Sequence, residues 1–208
     1  MGGGQSGSGS KKSIRTMGLA KLPKTGNLSP RLDDGFLEVP IPDGWHVPPK
    51  NNKWLFRMQS SPTATYPTII ITGGRNADVG PDGKLVEFKR DAVGPYASSL
   101  QKHLQKTTNA KNFIRTAEPL RLGKRYVVHY ADRVKSGDSL LDRLFVIVIR
   151  GGRKYTVEMR ALRGALDEYS PIVYAVAGRL TVLAETKDEG RGMDGKDEGG
   201  GMKDEKAP

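Results

Sequence analysis

Between Gly35 and Ala184 the apolar residues change period three times, and that alternation constrains the fold more than any one motif. Phe36 to Ile41 reads as a short strand, stopped by the turn signal Pro42-Asp43-Gly44. Trp54, Phe56 and Met58 then alternate with Leu55 and Arg57, as a second strand does. Thr68 to Thr72 is β-branched throughout and stops at Gly73-Gly74, which suits a buried strand. Ala77 to Lys84 holds Pro81-Asp82-Gly83 and reads as a loop. From Leu85 to Thr107 the period becomes helical, with Val93, Tyr96 or Ala97, Leu100 and Leu104 on one face. Gly94-Pro95 either kinks that helix or begins it.

Four strand-like runs follow. Phe113 to Leu120 is the first, and Lys124 to Val134 sets Tyr126, Val128 and Tyr130 against Val127, His129 and Ala131. Leu144 to Ile149 is apolar on both faces and belongs at the centre of a sheet. Arg153 to Met159 points Tyr155, Val157 and Met159 inward, with Thr156, Glu158 and Arg160 outward. Arg150-Gly151-Gly152-Arg153 joins the last two as a tight hairpin. The final helix carries Leu166, Tyr169, Val173, Val176, Leu180 and Leu183 along one side, with Asp167 or Ser170 as N-cap and Pro171 in the first turn. The expected class is α+β: an antiparallel sheet of about six to seven strands flanked by helices, over residues 35–184. A unit of that size buries roughly 70% of its unfolded surface and needs no staple.

The flanks differ in composition. Met1 to Ser10 is nearly all Gly and Ser, and a basic stretch follows, so residues 1–34 read as a flexible arm. Met1-Gly2-Gly3-Gly4-Gln5-Ser6 formally fits the N-myristoylation pattern at Gly2, a pattern that Gly/Ser-rich starts also match by chance. In residues 185–208, Lys187-Asp188-Glu189-Gly190-Arg191-Gly192-Met193 recurs as Lys196-Asp197-Glu198-Gly199-Gly200-Gly201-Met202, and Lys203-Asp204-Glu205 begins again. Mixed charge with glycine cannot bury a core, so this reads as a disordered tail, either solubilising or shielding a basic surface.

The net charge of +11 is uneven. Residues 1–34 hold 6 basic and 2 acidic groups, 35–184 hold 23 and 13, and 185–208 hold 5 and 8. The folded part is therefore basic and suited to nucleic acid, an anionic lipid surface or an acidic protein face. No cysteine is present, which excludes disulfides, thiolate metal sites and a cysteine nucleophile. No apolar run approaches the ~20 residues of a transmembrane helix, and no secretory signal is visible, which favours a cytoplasmic location.

Gly137-Asp138-Ser139-Leu140 spells the nucleophile block of the GDSL esterases. Ser139 would need a histidine base, and the last one, His129, precedes it, so Gly137-Asp138 reads better as a hairpin turn. His46, His103 and His129 match no local metal spacing. Neither Gly73-Gly74 nor Gly151-Gly152 leads into a phosphate-binding loop. No catalytic residue, metal or cofactor is expected. The candidate binding patch is basic: Arg121, Lys124 and Arg125 at one hairpin, Arg150, Arg153 and Lys154 at another. If the two turns meet at one end of the sheet, they form a receptor for phosphate or an acidic protein face. Tyr126 and Tyr155 lie nearby, in a strand phase that suits the core, as Trp45 and Trp54 do.

The opening strand with Pro42-Asp43-Gly44-Trp45, the Thr68–Thr72 strand and the closing amphipathic helix together resemble the PsbP-like superfamily. That group includes photosystem II extrinsic proteins, bacterial DcrB-type proteins and a nuclear import factor that binds the Ran GTPase. The resemblance covers residues 35–184 and implies an antiparallel sheet with helices packed against it. It implies no catalytic residue and carries over no binding residue, since members bind unrelated partners through different surfaces. The chain departs from the photosynthetic branch in showing no transit or signal peptide. The function implied is a non-enzymatic accessory domain recognising a protein partner. A basic polyanion binder is the alternative and a hydrolase using Ser139 the remote one.

Overall fold

The computed structural model describes residues 13–74 and 87–183. The Gly/Ser start with Gly2, the loop Ala77–Lys84, the expected helix start at Leu85 and the acidic repeat all lie outside them. In chain order the elements are β1 Arg15–Met17, β2 Thr25–Leu28, β3 Leu37–Glu38, β4 Pro40–Pro42, β5 Phe56–Gln59 and β6 Thr68–Gly74. Helix α1 is Val93–Thr107, followed by β7 Phe113–Leu122, β8 Arg125–Ser136, β9 Ser139–Arg150 and β10 Arg153–Leu162. Helix α2 is Leu166–Arg179, and β11 is Thr181–Val182. No helix among the described residues is long and apolar enough to cross a membrane.

The main sheet has seven strands in the order β1-β7-β8-β9-β10-β6-β5. All its pairs are antiparallel except β1 with β7. The strand that is apolar on both faces, β9, sits at the centre, where each face must be covered. Helix α2 packs on the face carrying Val127, Val146, Val148, Tyr155, Val157 and Met159. Helix α1 packs on the other, against Val128, Ile147 and Ile149, with Val93 and Ala97 buried at its contact. Its first turn holds Gly94-Pro95, so the helix begins there rather than kinking. A register shift in β7 leaves the Ala117 amide for the Gln101 side chain of α1, whose Oε1 accepts it at 2.7 Å.

The strand expected over Phe36–Ile41 is split and lies outside the main sheet. Leu37–Glu38 pairs with β11, and Pro40–Pro42 pairs with β2. Two prolines lack the amide that an inner ladder position needs. Between them the Val39 amide goes to the Ser29 hydroxyl at 3.0 Å, and the Ser29 amide to the Val39 carbonyl at 2.8 Å.

The folded unit also reaches back past residue 35. Arg15–Met17 joins the sheet edge, and Gly123 donates its amide to the Met17 carbonyl at 2.9 Å. Leu22 enters the core, and Leu19 packs against it. Arg179 at the end of α2 donates to the carbonyls of Pro23 at 2.7 Å and Leu19 at 2.8 Å. This wrapping explains why the second half of α2 is buried all round, from Val173 to Gly178, instead of along one stripe. Helix α2 ends at Arg179, short of Leu183, and its N-cap is Ala165 rather than Asp167 or Ser170. Ser170 instead returns its hydroxyl to the Leu166 carbonyl at 2.7 Å.

Candidate functional site

The β7–β8 and β9–β10 turns come to the same end of the sheet, because both pairs are antiparallel and β8 lies beside β9. Gly151 and Gly152 have φ of 57° and 69°, the left-handed pair that a two-residue hairpin demands. A cavity of about 430 Å³ opens at this end. Its floor is apolar: Leu19, Phe88, Leu122, Tyr126 and Ile149. Its rim carries Lys124, Arg125 and Arg150, with Glu87 as the one lining carboxylate among the described residues. Gly178 lines it too, and a side chain there would meet Leu19 Cδ2 at 2.5 Å.

The rim arginines are held differently from one another. Arg125 donates through Nη1 to the Ala177 carbonyl at 2.6 Å, at the negative end of the α2 dipole. Burial, and then the neighbouring Arg150 charge, lower its pKa to about 10, so it stays charged at neutral pH. Its Nε is buried without an acceptor, as is that of Arg121, whose guanidinium lies 5.7 Å from the Tyr126 ring centre. Lys124 and Arg150 are exposed. Among the described residues, none of Arg121, Lys124, Arg125 and Arg150 is within ion-pair distance of a carboxylate.

Arg121 lies at this sheet end but outside the cavity lining, and so do the other two patch residues. Arg153 is 4% exposed, donates to Asp33 Oδ2 at 2.8 Å and sits 3.7 Å over the Phe36 ring. Tyr155, fully buried, donates to the same oxygen at 2.5 Å. This cluster clamps the tight turn at Asp33-Asp34, whose φ values are 50° and 55°, onto the sheet. Lys154 stands opposite Ile149 and Gly74, outside the cavity lining. A second cavity of about 590 Å³ lies over that turn and mixes Arg31, Lys50 and Lys53 with Asp33 and Asp34.

Ser139 and His129 are not brought together. Ser139 pairs with Ser136 at the turn, while His129 pairs with Val146. Seven ladder positions separate them, roughly 23 Å at about 3.3 Å per residue. Gly137-Asp138 is the β8–β9 turn. His129 is 2% exposed, and its Nδ1 lies 2.9 Å from the Tyr174 hydroxyl, which accepts from Arg115 Nη1 at 2.6 Å. Burial, then the charges of Arg115 and Arg15, lower its pKa to about 4. His46 and His103 are exposed, and no three potential metal ligands cluster among the described residues.

Two ionic clusters escape a reading of the strands one at a time. One is the Asp33–Arg153–Tyr155 clamp, built across more than 100 residues of chain. The other crosses β8, β9 and β10: Arg143 binds Asp132 at 2.8 and 2.7 Å, Arg160 binds Glu158 at 2.7 and 3.1 Å, and Arg143 also approaches Glu158 at 3.8 Å. Its signal is charge at strand positions that come into register only once the sheet is assembled.

No family model matches the chain, and neither does any curated protein. Solved structures do. A crystal structure from Bacteroides thetaiotaomicron VPI-5482 has a TM-score of 0.48 at 12% identity, over 79% of this chain and 50% of that one. This chain therefore spans half the length of that protein. The solution structure of cyanobacterial PsbP (CyanoP) from Synechocystis sp. PCC 6803 has a TM-score of 0.47 at 14% identity, over 78% of this chain and 99% of that one. LpqN, described as involved in cell envelope biogenesis of Mycobacterium tuberculosis, has a TM-score of 0.43 at 12% identity, over 71% and 83%. A PsbP structure stands among the three.

Proposed function

We propose that this chain is a non-enzymatic accessory module that recognises a protein partner, taking an acidic segment of it into the cavity at the two-hairpin end. The observation that carries this reading is the make-up of that cavity: Lys124, Arg125 and Arg150 around a floor of Leu19, Phe88, Leu122 and Ile149. Its volume of about 430 Å³ falls within the roughly 300–1,000 Å³ of ordinary ligand pockets. An apolar floor supplies affinity for a side chain, and a cationic rim supplies orientation and a faster encounter with an acidic surface. A second reading, a polyanion binder for nucleic acid or an anionic membrane, is favoured by the excess of 23 basic over 13 acidic residues across 35–184. It predicts binding that weakens steeply with salt.

The test is capture from host lysate by the full chain and by a Lys124→Glu/Arg150→Glu variant, with and without nuclease, at low and moderate salt. One protein retained by the wild type through nuclease and moderate salt, and absent from the variant, is the expected result. Material lost on nuclease treatment or with moderate salt supports the polyanion reading instead. Equal retention by wild type and variant overturns the assignment of this cavity.

A further inference from the structure

We propose that the chain's own acidic repeat, residues 187–205, is the resident ligand of the cationic cavity and competes with the partner for it. The inference rests on the reading of that cavity as a receptor for acidic segments. Three observations carry it.

The first is where the chain leaves the fold. Leu183 is anchored by its amide to the Phe36 carbonyl at 2.9 Å. A side chain built on Gly151 would lie 3.8 Å from both the Leu183 carbonyl and Val182 Cγ1. The last described residue therefore lies against the β9–β10 turn, next to Arg150 on the cavity rim. The repeat starts four residues later, at Lys187.

The second is complementarity of charge. Residues 185–208 hold 8 acidic and 5 basic groups, and every repeat carries an Asp-Glu pair directly after its opening lysine. Among the described residues the rim cations Lys124, Arg125 and Arg150 have no carboxylate within ion-pair distance, whereas Arg133, Arg143 and Arg160 have theirs.

The third is the position of the methionines. Each of the two full repeats ends on one, Met193 or Met202, and Met193 is followed directly by Asp194. A flexible apolar side chain beside a carboxylate matches an apolar floor beneath a cationic rim, and methionine fills irregular pockets well. Ten residues reach at most roughly 33–36 Å when extended, enough slack to bring Met193 back from Leu183. Tethers of that kind give effective concentrations in the mM range, so a contact too weak to matter between molecules is occupied within one.

The absence of cysteine makes the test direct: Gly195→Cys in the full chain takes a nitroxide label at one place. At low salt the label is expected to broaden the amide NMR signals of Gly123, Lys124, Arg150 and Gly151, and to spare Gly137 and Asp138 at the opposite end. High salt should abolish the broadening, and so should Lys124→Glu/Arg150→Glu. No selective broadening at low salt, or the same broadening in the charge-reversed variant, overturns the proposal. Failure of the two ideas is distinguishable. If the label never reaches the cavity but partner capture still needs Lys124 and Arg150, the tail proposal falls and the partner reading stands. If the label reaches it in a charge-dependent way while capture ignores both residues, the reverse holds. With both intact, Asp188→Asn/Glu189→Gln/Asp194→Asn should raise partner capture several-fold.

Discussion

The two ends of the sheet hold most of their arginines differently. Toward the β8–β9 turn, Arg143 and Arg133 each meet an aspartate through two hydrogen bonds, and Arg160 meets Glu158 likewise. Toward the β7–β8 and β9–β10 turns, Arg153 is matched with Asp33, whereas Arg121, Arg125 and Arg150 meet aromatic rings, a carbonyl or solvent. The matched end spends its charge on itself. Forked guanidinium–carboxylate pairs across strands fix register, and their desolvation is offset locally. The unmatched end leaves the charges of Lys124, Arg125 and Arg150 without a carboxylate among the described residues. Composition alone reports only a basic domain; the partition between ends is what supports the proposed receptor at one of them.

Acid should strain the molecule most, and it does so between the two ends. The Tyr174 oxygen accepts from Arg115 and lies 2.9 Å from His129 Nδ1, in a buried setting where the Arg115 and Arg15 charges disfavour an imidazolium. In the unfolded chain His129 titrates near 6.5, and in the fold at about 4. Between those values the unfolded chain binds a proton that the fold refuses, so stability falls as pH drops through 6.5 and levels off below 4. The full loss from this group is on the order of 3 kcal/mol. Urea midpoints measured from pH 7 to pH 4 should show that slope, and His129→Asn should flatten it whatever it does to stability at pH 7. An unchanged slope in the variant would assign the acid sensitivity to other groups.

Next in size is the removal of a matched arginine. Arg143→Leu strands Asp132, which is buried, and leaves Glu158 to Arg160 alone. Breaking a buried pair on one side costs about 3–5 kcal/mol, and the side-chain exposure of 24% for Arg143 brings the expectation down to about 2 kcal/mol. A lower denaturation midpoint with an unchanged m-value is the expected signature. A midpoint within experimental error of wild type would show the network to be ornamental and remove the contrast between the ends.

The sequence carries much of this architecture and little of this chemistry. Periodicity places β6 to β10 and both helices, because each buries a face long enough to repeat. It misses β1, since Arg15–Met17 is a three-residue edge held by backbone hydrogen bonds, with no alternation to read. It merges β3 and β4, because Leu37, Val39 and Ile41 alternate well while Pro40 and Pro42 redirect the backbone. For the site, hairpin positions bring Arg121, Lys124, Arg125 and Arg150 together at one end. The separation of Arg153 is illegible beforehand, since its partner Asp33 lies 120 residues away in a turn with no strand pattern.

The smallest effect on stability is also the sharpest test of the contrast. Arg125 resembles Arg143 in being a partly buried strand arginine, and side-chain counting would rank them alike. Their surroundings do not. Arg125 has a carbonyl acceptor instead of a carboxylate, an Nε without an acceptor, and Arg150 close enough to lower its pKa. Its charge is thus held against desolvation and a like neighbour, with only the α2 terminus to offset them. Arg125→Met keeps most of the apolar stem and removes all three features at once. Replacing a poorly compensated buried charge with an apolar group of similar length is commonly neutral or stabilising. The Ala177 carbonyl loses a donor, a loss of about 1 kcal/mol that relief from desolvation opposes. The expected midpoint therefore lies within about 1 kcal/mol of wild type, well above that of Arg143→Leu, while partner capture declines. A loss as large as that from Arg143→Leu would mean that Arg125 is as structural as its matched counterpart, and the receptor would then narrow to Lys124 and Arg150.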